Sequence, residues 1–334
     1  MDMELAWLAA IVIIALAFDF TNGFHDAANA IATSIGTRAL TPRVALAMSA
    51  VMNLVGALIS TGVAQTVGAG IIATPTGDDG LLVVFAALVG AIGWNLLTWY
   101  FGLPSSSSHA LIGGLVGAAI AAATTVKWDG VFDKVVIPMI VSPLIGFVIA
   151  YLLHIAMMWA LRRVAPGPAN RGLRRAQTLS AAAMALGHGL QDAQKTMGVI
   201  VLALVTIGWQ SNFAVPLWVI LSVALAMAAG TYAGGWRIIR TLSRRVVALE
   251  PSSGFAAEIT AASVLYATAA LHLPVSTTHT ITSAILGAGA SRRLSAVRWK
   301  VARTILGAWV LTLPGAAVAA AVTYLLLLAI GRVI

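Results

Sequence analysis

The sequence predicts an all-α polytopic membrane protein made of two inverted-topology repeats. Of its 334 residues, 60% are hydrophobic and 9% are charged, against about 25% charged in ordinary soluble domains. Apolar runs close to the roughly 20 residues that span a bilayer recur along the chain. Two polar motifs, each present twice, interrupt these runs. The absence of cysteine excludes disulfides, thiol nucleophiles and cysteine-based metal sites.

The two polar motifs indicate an internal duplication. NGFHDAANA (22–30) is repeated as HGLQDAQKT (188–196), and LPSSSSHALIG (103–113) is repeated as LPVSTTHTITS (273–283). Because the order and spacing of the motifs are kept, we interpret the chain as two copies of one design.

The duplication predicts the domain organisation. A first transmembrane repeat at 1–161 and a second at 176–334 are joined by a basic cytoplasmic linker at 162–175. Each repeat offers five apolar segments, and an odd number inverts the second copy. The first segment is longer than a core of about 30 Å requires, so we expect a break near Asn22–Asp26, which gives six segments and broken helices or re-entrant hairpins. The segments lie near 5–36, 43–67, 81–101, 108–125, 135–161, 176–207, 216–236, 255–271, 277–291 and 300–330.

Positive charge is unevenly distributed along the chain. The segments 37–43, 162–175, 237–245 and 292–303 hold 16 of the 20 Lys and Arg residues. Basic loops remain in the cytoplasm, so we predict a multi-pass plasma-membrane protein with these loops inside and both termini outside. The net charge of +9 is then a cytoplasmic face, and no nucleic-acid partner is expected.

The acidic motifs place carboxylates where hydrocarbon is expected. Asp26 and Asp192 occupy the same position in the two copies, and an ionisable group at membrane depth costs roughly 2.5–3.5 kcal/mol. Together with Asn29 they offer the hard oxygen ligands of a Na⁺ site, or they carry protons. Helix capping is the structural alternative.

Three other ionisable residues lie in apolar segments. Lys195 follows Asp192 by three residues, so it either pairs with this acid or contacts an anion. Asp19 is interpreted as a cap before the expected break. Glu258 has Leu88 as its counterpart in the first copy, and it serves either coupling and gating or a buried contact with Ser or Thr.

The hydroxyl motifs predict two helix N-termini. Proline followed by Ser and Thr opens a helix, and the first N–H groups remain without intrahelical partners. Two such ends from inverted copies could meet around one oxyanion. Hydroxyls that satisfy a kinked helix are the structural alternative, and a hydrolase is disfavoured because no G-x-S-x-G elbow is present. The predicted substrate-binding residues are Ser105, Ser106, Ser107, Ser108, His109, Ser276, Thr277, Thr278, His279 and Gln191.

Four of the six histidines accompany the motifs. His25 and His188 flank the acidic motifs, and His109 and His279 end the hydroxyl motifs. Neutral imidazole at these places suits hydrogen bonding or proton relay, and metal binding by these four has no ligand spacing to support it. The predicted coupling-ion or proton residues are Asp26, Asn29, Asp192, His25 and Glu258.

These motifs together resemble the inorganic phosphate transporter (PiT) family, of the bacterial type, from about residue 18 to 330. The resemblance implies secondary transport of inorganic phosphate, coupled to H⁺ or Na⁺, by an inverted-repeat fold that is commonly dimeric. It implies that Asp26, Asn29 and Asp192 serve phosphate or cation binding, that the hydroxyl motifs hold phosphate, and that Glu258 falls on a glutamate important in relatives. No cofactor is expected, although a metal–phosphate complex is a candidate substrate.

The chain departs from the family pattern at His25, Gln191 and Leu88. His25 and Gln191 replace signature asparagines, and Leu88 replaces a glutamate of animal relatives. Fewer oxygen ligands and an added imidazole favour H⁺ over Na⁺. The predicted function is a phosphate symporter that works by alternating access and is not an enzyme. The alternatives are a transporter of sulfate or another oxyanion with the same fold, or an uncoupled anion channel.

Overall fold

A computed structural model describes residues 3–75 and 77–331 of the chain. The regular elements in this part of the chain are helices, accompanied by two isolated β-bridges. The all-α prediction is therefore confirmed. Asp2 and residues 332–334 lie outside the described residues, so the outward placement of the two termini stays a prediction.

The first half begins with a long helix and ends with another. A bent pair, a single helix and a short helix lie between them. The elements are α1 (Met3–Gly36), α2 (Pro42–Ala57), α3 (Gly62–Gly70), α4 (Gly77–Phe101), α5 (Ser107–Ala121), α6 (Trp128–Val131), a π-helical turn (Phe132–Val136) and α7 (Ile137–Ala160).

The second half repeats this succession of elements. The α2–α3 pair bends by 72°, and its counterpart, α9 with residues 236–245, bends by 55°. The elements are α8 (Pro166–Thr206), α9 (Leu217–Ala233), α10 (Trp236–Arg240), a π-helical turn (Thr241–Arg245), α11 (Pro251–Ala270), α12 (Thr277–Ala290), a 3₁₀ turn (Leu294–Ala296) and α13 (Trp299–Gly331).

Membrane-crossing elements are present in both halves. Four helices of the described chain, at 5–36, 80–101, 128–160 and 299–330, are long and apolar enough to cross a bilayer, and up to six units qualify if each bent pair counts as one span. In contrast, α5 with 15 residues and α12 with 14 are only about 22 and 21 Å long. They are shorter than a hydrocarbon core of about 30 Å, as the prediction of broken or re-entrant elements requires.

The expected break in the first helix is absent, because α1 runs without interruption from Met3 to Gly36. The segment contains no proline, and its polar side chains have partners on other helices. Asp19 accepts a hydrogen bond from Thr196, and Asn29 donates one to Thr278. Because side chains of other helices supply these hydrogen bonds, the polar residues do not require a break in the backbone of α1. The interpretation of Asp19 as a helix cap is therefore wrong.

Helices α1 and α8 lie antiparallel. Near one end, Thr37 Oγ1 donates to Gln177 Oε1 at 2.6 Å, and towards the other, Thr196 Oγ1 donates to Asp19 Oδ1 at 2.6 Å. Residues that advance along α1 therefore meet residues that recede along α8. This is the packing that inverted copies require. Helix α8 begins at Pro166, so most of the predicted linker 162–175 forms its first turns.

Glycines at equivalent positions of α1 and α8 allow close backbone contact with α9 and α2, respectively. A Cβ atom on Gly23 of α1 would lie 2.4 Å from the Met227 carbonyl oxygen of α9, and one on Gly189 of α8 would lie 2.2 Å from the Asn53 carbonyl oxygen of α2. The contacts α1–α9 and α8–α2 exchange when the two copies are exchanged. Glycine is required at both places because only hydrogen fits between the backbones.

Two apolar cores lie on either side of the polar residues of α1. One includes Ile11 and Leu111, and the other includes Ile31 and Ile285. The polar centre of the molecule therefore lies between two packed hydrophobic layers.

Two basic segments that the charge pattern assigned to the same side, 237–245 and 292–303, are in contact. Arg298 Nη1 donates to the Arg244 carbonyl oxygen at 2.8 Å, and Arg292 forms an ion pair with Glu250. Lys127, which the charge pattern assigned to the other side, donates from Nζ to the Ala69 carbonyl oxygen at 2.7 Å. The grouping of the loops agrees with the predicted topology, and their orientation relative to the cell remains a prediction.

Candidate functional site

The two acidic motifs meet at the centre of the α1–α8 pair. Asp26 of α1 and Asp192 of α8 are buried, as is His188 one turn before Asp192. One ligand atom from each of these three residues lies within 4.8 Å of the other two. The two acidic motifs therefore contribute to one shared cluster and not to two separate sites.

The hydroxyl motifs form two equivalent helix N-termini. Ser106 caps α5 by accepting a hydrogen bond from the His109 N–H at 3.2 Å, and Ser276 caps α12 by accepting one from the His279 N–H at 3.2 Å. The prediction that both motifs open helices is confirmed. Each helix directs the partial positive charge of its N-terminus towards the buried interior.

Both hydroxyl motifs reach Asp192. Thr277 Oγ1 donates to Asp192 Oδ2 at 2.8 Å, and Ser108 Oγ donates to Asp192 Oδ1 at 3.3 Å. His188 Nε2 lies 3.1 Å from Asp192 Oδ2. One carboxylate thus joins the N-termini of α5 and α12 to the middle of α8.

Asp26 is tied to the second hydroxyl motif. Thr278 Oγ1 donates to Asp26 Oδ1 at 3.3 Å, and Asn29 Nδ2 donates to Thr278 Oγ1 at 2.8 Å. The side-chain amide oxygen of Asn29, Oδ1, is buried and has no hydrogen-bond partner. Asp26, Asn29 and Asp192, the residues predicted for Na⁺, therefore lie in one cluster, with an unpartnered oxygen still free to bind a cation.

Lys195 supplies a fixed positive charge at the cluster. Its Nζ lies 2.5 Å from Asp192 Oδ1, 2.5 Å from Ser108 Oγ and 2.8 Å from the Val275 carbonyl oxygen. Of the two interpretations left open by the sequence, the pair with Asp192 is the one observed. An ammonium group has three donors, and these three contacts occupy all of them.

His25 links Asp26 to the first hydroxyl motif. His25 Nδ1 lies 2.7 Å from Asp26 Oδ1, and Nε2 lies 3.1 Å from Thr98 Oγ1 and 3.5 Å from Ser105 Oγ. A buried imidazole between a carboxylate and two hydroxyls can pass a proton between them. No sequence signal identified Thr98, because a single Thr in an apolar helix is unremarkable.

His109 and His279 face each other between the two hydroxyl motifs. Their ring centroids are 4.8 Å apart, and all four ring nitrogens are buried without hydrogen-bond partners. His279 also stacks on Trp309, whose Nε1 donates to the Pro104 carbonyl oxygen at 2.9 Å. Trp309 therefore fixes the start of the first hydroxyl motif, although it lies far away in the sequence.

Ser107 is the remaining hydroxyl of the first motif. Its Oγ is buried and has no hydrogen-bond partner. This hydroxyl at the first turn of α5 is free to bind a ligand.

Gln191 and Glu258 have partners other than the acid pair. Gln191 Nε2 donates to Thr268 Oγ1 at 2.9 Å and to the carbonyl oxygen of Leu273, the first residue of the second hydroxyl motif, at 3.3 Å. Glu258 accepts hydrogen bonds from Thr33 Oγ1 at 2.5 Å and from Ser180 Oγ. The structure thus places Glu258 against Ser and Thr, and it joins Gln191 to the start of the second hydroxyl motif. The substrate role of Gln191 stays a prediction.

A known family accounts for this arrangement of residues. The sequence model described as "Phosphate transporter family" matches residues 22–320. The chain belongs to this family. Its members are transporters, so the expectation that the chain is not an enzyme is confirmed, and so is the predicted resemblance.

Individual relatives of this phosphate transporter family member cover nearly the whole chain. A protein of Mycobacterium tuberculosis (strain ATCC 25618 / H37Rv), named a probable low-affinity inorganic phosphate transporter, is 50% identical over 97% of this chain and 78% of its own length. A protein of the same name from Bacillus subtilis (strain 168) is 46% identical over 98% of this chain and 99% of its own length.

A solved structure shares the fold. The structure named "The sodium-dependent phosphate transporter" superposes with a TM-score of 0.86, covers 96% of this chain and 99% of its own, and is 22% identical in sequence. This similarity supports the architecture of a multi-pass phosphate transporter family member.

Proposed function

We propose that this protein is a symporter that moves inorganic phosphate across the plasma membrane together with H⁺ or Na⁺, by alternating access. The observation that carries the proposal is the meeting of Asp26 and Asp192 with the N-termini of α5 and α12 in one buried cluster. The names of the relatives supply phosphate as the substrate class.

The two helix N-termini are the proposed phosphate-binding elements. Their first N–H groups have no intrahelical partners, and their dipoles favour an anion. Ser107 adds a buried hydroxyl without a partner, and Ser108, Thr277 and Thr278 add hydroxyls that can exchange a carboxylate for a phosphate oxygen. His109 and His279 lie beside them with free ring nitrogens.

The charges of the cluster explain why a cation must accompany phosphate. The cluster holds two carboxyl groups, Asp26 and Asp192, and the ammonium group of Lys195 is paired with Asp192. Phosphate would raise the uncompensated negative charge in a region of low dielectric constant, which is unfavourable. Binding of H⁺ or Na⁺ restores the balance and lets the loaded site move. His25, in contact with Asp26, favours H⁺, and a metal–phosphate complex would serve the same purpose.

Phosphate and sulfate differ in their acidic protons. At neutral pH phosphate carries P–OH groups that can donate to Asp26 or Asp192, whereas sulfate has none. A buried carboxylate left without a donor discriminates against the wrong ligand. We therefore propose that the acid pair selects phosphate. The basic loops are proposed to face the cytoplasm, and the protein is proposed to act as a homodimer.

The test is uptake of labelled phosphate into proteoliposomes under an imposed pH or Na⁺ gradient, with sulfate and arsenate as competitors. We expect accumulation driven by one of the two gradients and stronger inhibition by arsenate than by sulfate. Uptake that ignores both gradients would indicate an anion channel, and stronger inhibition by sulfate would indicate an oxyanion transporter of different specificity.

Site variants connect this test to the acid pair. Asp26→Asn and Asp192→Asn should abolish accumulation while the protein remains folded in the membrane. Glu250→Gln is the matched control, because Glu250 is half exposed and lies in the basic loop region. Normal accumulation by both Asn variants would show that the two carboxylates are structural.

A further inference from the structure

A buried acid on α1 has no role in the cluster described above. Asp19 lies two turns before Asp26, and the polar residues Asp19, Asn22, Asp26, Asn29 and Thr33 follow each other at intervals of three and four. This spacing places all five on one face of the helix. On this face, Asp19 and Asn22 lie between the central acid pair and the N-terminal end of α1.

Asp19 is poorly satisfied for a buried carboxylate. It is fully buried, and its Oδ1 accepts one hydrogen bond, from Thr196 Oγ1 at 2.6 Å. Its Oδ2 is buried without a hydrogen-bond partner, as is Oδ1 of Asn22 on the next turn. Glu258 offers a contrast, because Thr33, Ser180 and Gln177 all donate to it.

No basic side chain lies within ion-pair distance of Asp19 in the described residues, where the contacts between basic and acidic side chains are His25–Asp26, His188–Asp192, Lys195–Asp192 and Arg292–Glu250. The elements that pack on this part of α1 add little charge. Residues 80–99 of α4 and all of α9 contain no acid or base. The ionisable groups that face this region are therefore His25 and Asp26 of α1 itself and His188, Asp192 and Lys195 of α8.

The unpartnered atoms define the kind of ligand that would fit. Asp19 Oδ2 and Asn22 Oδ1 are buried acceptors on residues one turn apart on the same helix face, and the Asn22 side chain lies within hydrogen-bond reach of the Asp19 carboxylate. Thr196 Oγ1, which donates to Asp19 Oδ1 at 2.6 Å, offers a third oxygen next to the carboxylate. A buried carboxylate without a counter-ion is strongly unfavourable. A cation is the ligand that satisfies both acceptors and the charge.

We propose that Asp19, Asn22 and Thr196 form a second cation site, which binds the coupling ion. Along α1 this site and Glu258 lie on opposite sides of the central acid pair. The site takes H⁺ or Na⁺, because a proton or a small hard cation suits a carboxylate, an amide oxygen and a hydroxyl. The proposal rests on the cation-coupled transport proposed above. Under the predicted topology, this site lies on the outer side of the membrane.

Asp19→Asn tests the site, because it removes the charge and keeps the shape of the side chain. Asp129→Asn is the matched control, since Asp129 is exposed in the short helix α6. Phosphate uptake into proteoliposomes is measured against Na⁺ concentration at fixed pH and against pH at fixed Na⁺. Phosphate binding is measured at saturating cation, and the number of cations moved per phosphate is counted.

For Asp19→Asn we expect the cation concentration at half-maximal uptake to rise about tenfold or more, and phosphate binding at saturating cation to change less than about twofold. The number of cations moved per phosphate should fall by one. A shift in the Na⁺ titration identifies Na⁺ as the ligand, and a shift in the pH titration identifies H⁺. Asp129→Asn should match the wild type in every measurement.

Thr196→Val provides a second variant if Asp19→Asn does not fold, because it removes one oxygen and keeps the carboxylate. It should shift the same titration in the same direction by a smaller factor. Titrations and cation counts that superimpose on the wild type would overturn this site. Uptake by the wild type that ignores both gradients would overturn the coupled mechanism itself, so the two failures are distinguishable.

Discussion

Replacing Gly189 by alanine tests whether the close contact between α8 and α2 sets the geometry of the acid pair. The added Cβ atom would lie 2.2 Å from the Asn53 carbonyl oxygen and 2.6 Å from Asn53 Cα. Since C···O contacts begin at about 3.3 Å, the helices must separate by about 1.1 Å, the difference between 3.3 and 2.2. Backbone atoms cannot rotate away, and overpacking of this kind costs about 1–3 kcal/mol.

The displacement should reach the functional cluster, because Asp192 follows Gly189 by three residues on one helix face. We expect phosphate uptake into proteoliposomes to fall about tenfold or more, since misplacement of about 1 Å has effects of this size on positioned groups. The midpoint of thermal unfolding in detergent should fall as well.

Gly93→Ala is the matched control for this prediction. An added Cβ on Gly93 meets no atom within 4 Å, so this variant should keep its uptake and gain up to about 1 kcal/mol from helix propensity. If Gly189→Ala has the uptake and unfolding midpoint of Gly93→Ala, the close contact does not position the acid pair and the reasoning is refuted.

Three further predictions concern stability. Lys195→Met leaves the buried Asp192 charge unpaired and should lower the free energy of unfolding by about 3–5 kcal/mol. Combining it with Asp192→Asn should restore much of this stability but should not restore transport. A double-mutant cycle measured by thermal unfolding would show no coupling if the pair is unimportant. Ser276→Ala removes the α12 cap and should cost about 0.5–2 kcal/mol, which an unchanged unfolding midpoint would contradict. Arg292→Gln breaks a half-exposed ion pair with Glu250 and should change stability by at most about 1 kcal/mol, so a larger loss would indicate that this end of the molecule depends on it.

The meeting of the motifs could be predicted because its signals are local. Proline followed by hydroxyl residues specifies a helix start wherever it occurs, and Ser106 and Ser276 do cap α5 and α12. Asp26 and Asp192, which hold equivalent positions in the two acidic motifs, lie in one cluster. Capping and duplication are both properties that a sequence displays without tertiary information.

The continuity of α1 and the role of Trp309 could not be predicted in this way. Asn22–Asp26 resembled a break because polar residues at membrane depth need partners, and the sequence does not show that other helices supply them. Trp309 fixes Pro104 from a distant helix, and nothing near either residue indicates this hydrogen bond. Partners that come from distant helices are decided by tertiary packing.

The equivalent positions Asn29 and Lys195, like Leu88 and Glu258, are among those at which the two halves hold different residues. If the halves were identical, a two-fold rotation would convert the state open to one side of the membrane into the state open to the other side, and the two states would have the same free energy. An amide opposite an ammonium, and a leucine opposite a glutamate, remove this equivalence. Under alternating access, such differences would determine which state of the protein without ligand is more stable, the one open to the outside or the one open to the inside. Exchanging these residues between the halves would then be the way to reverse the preference.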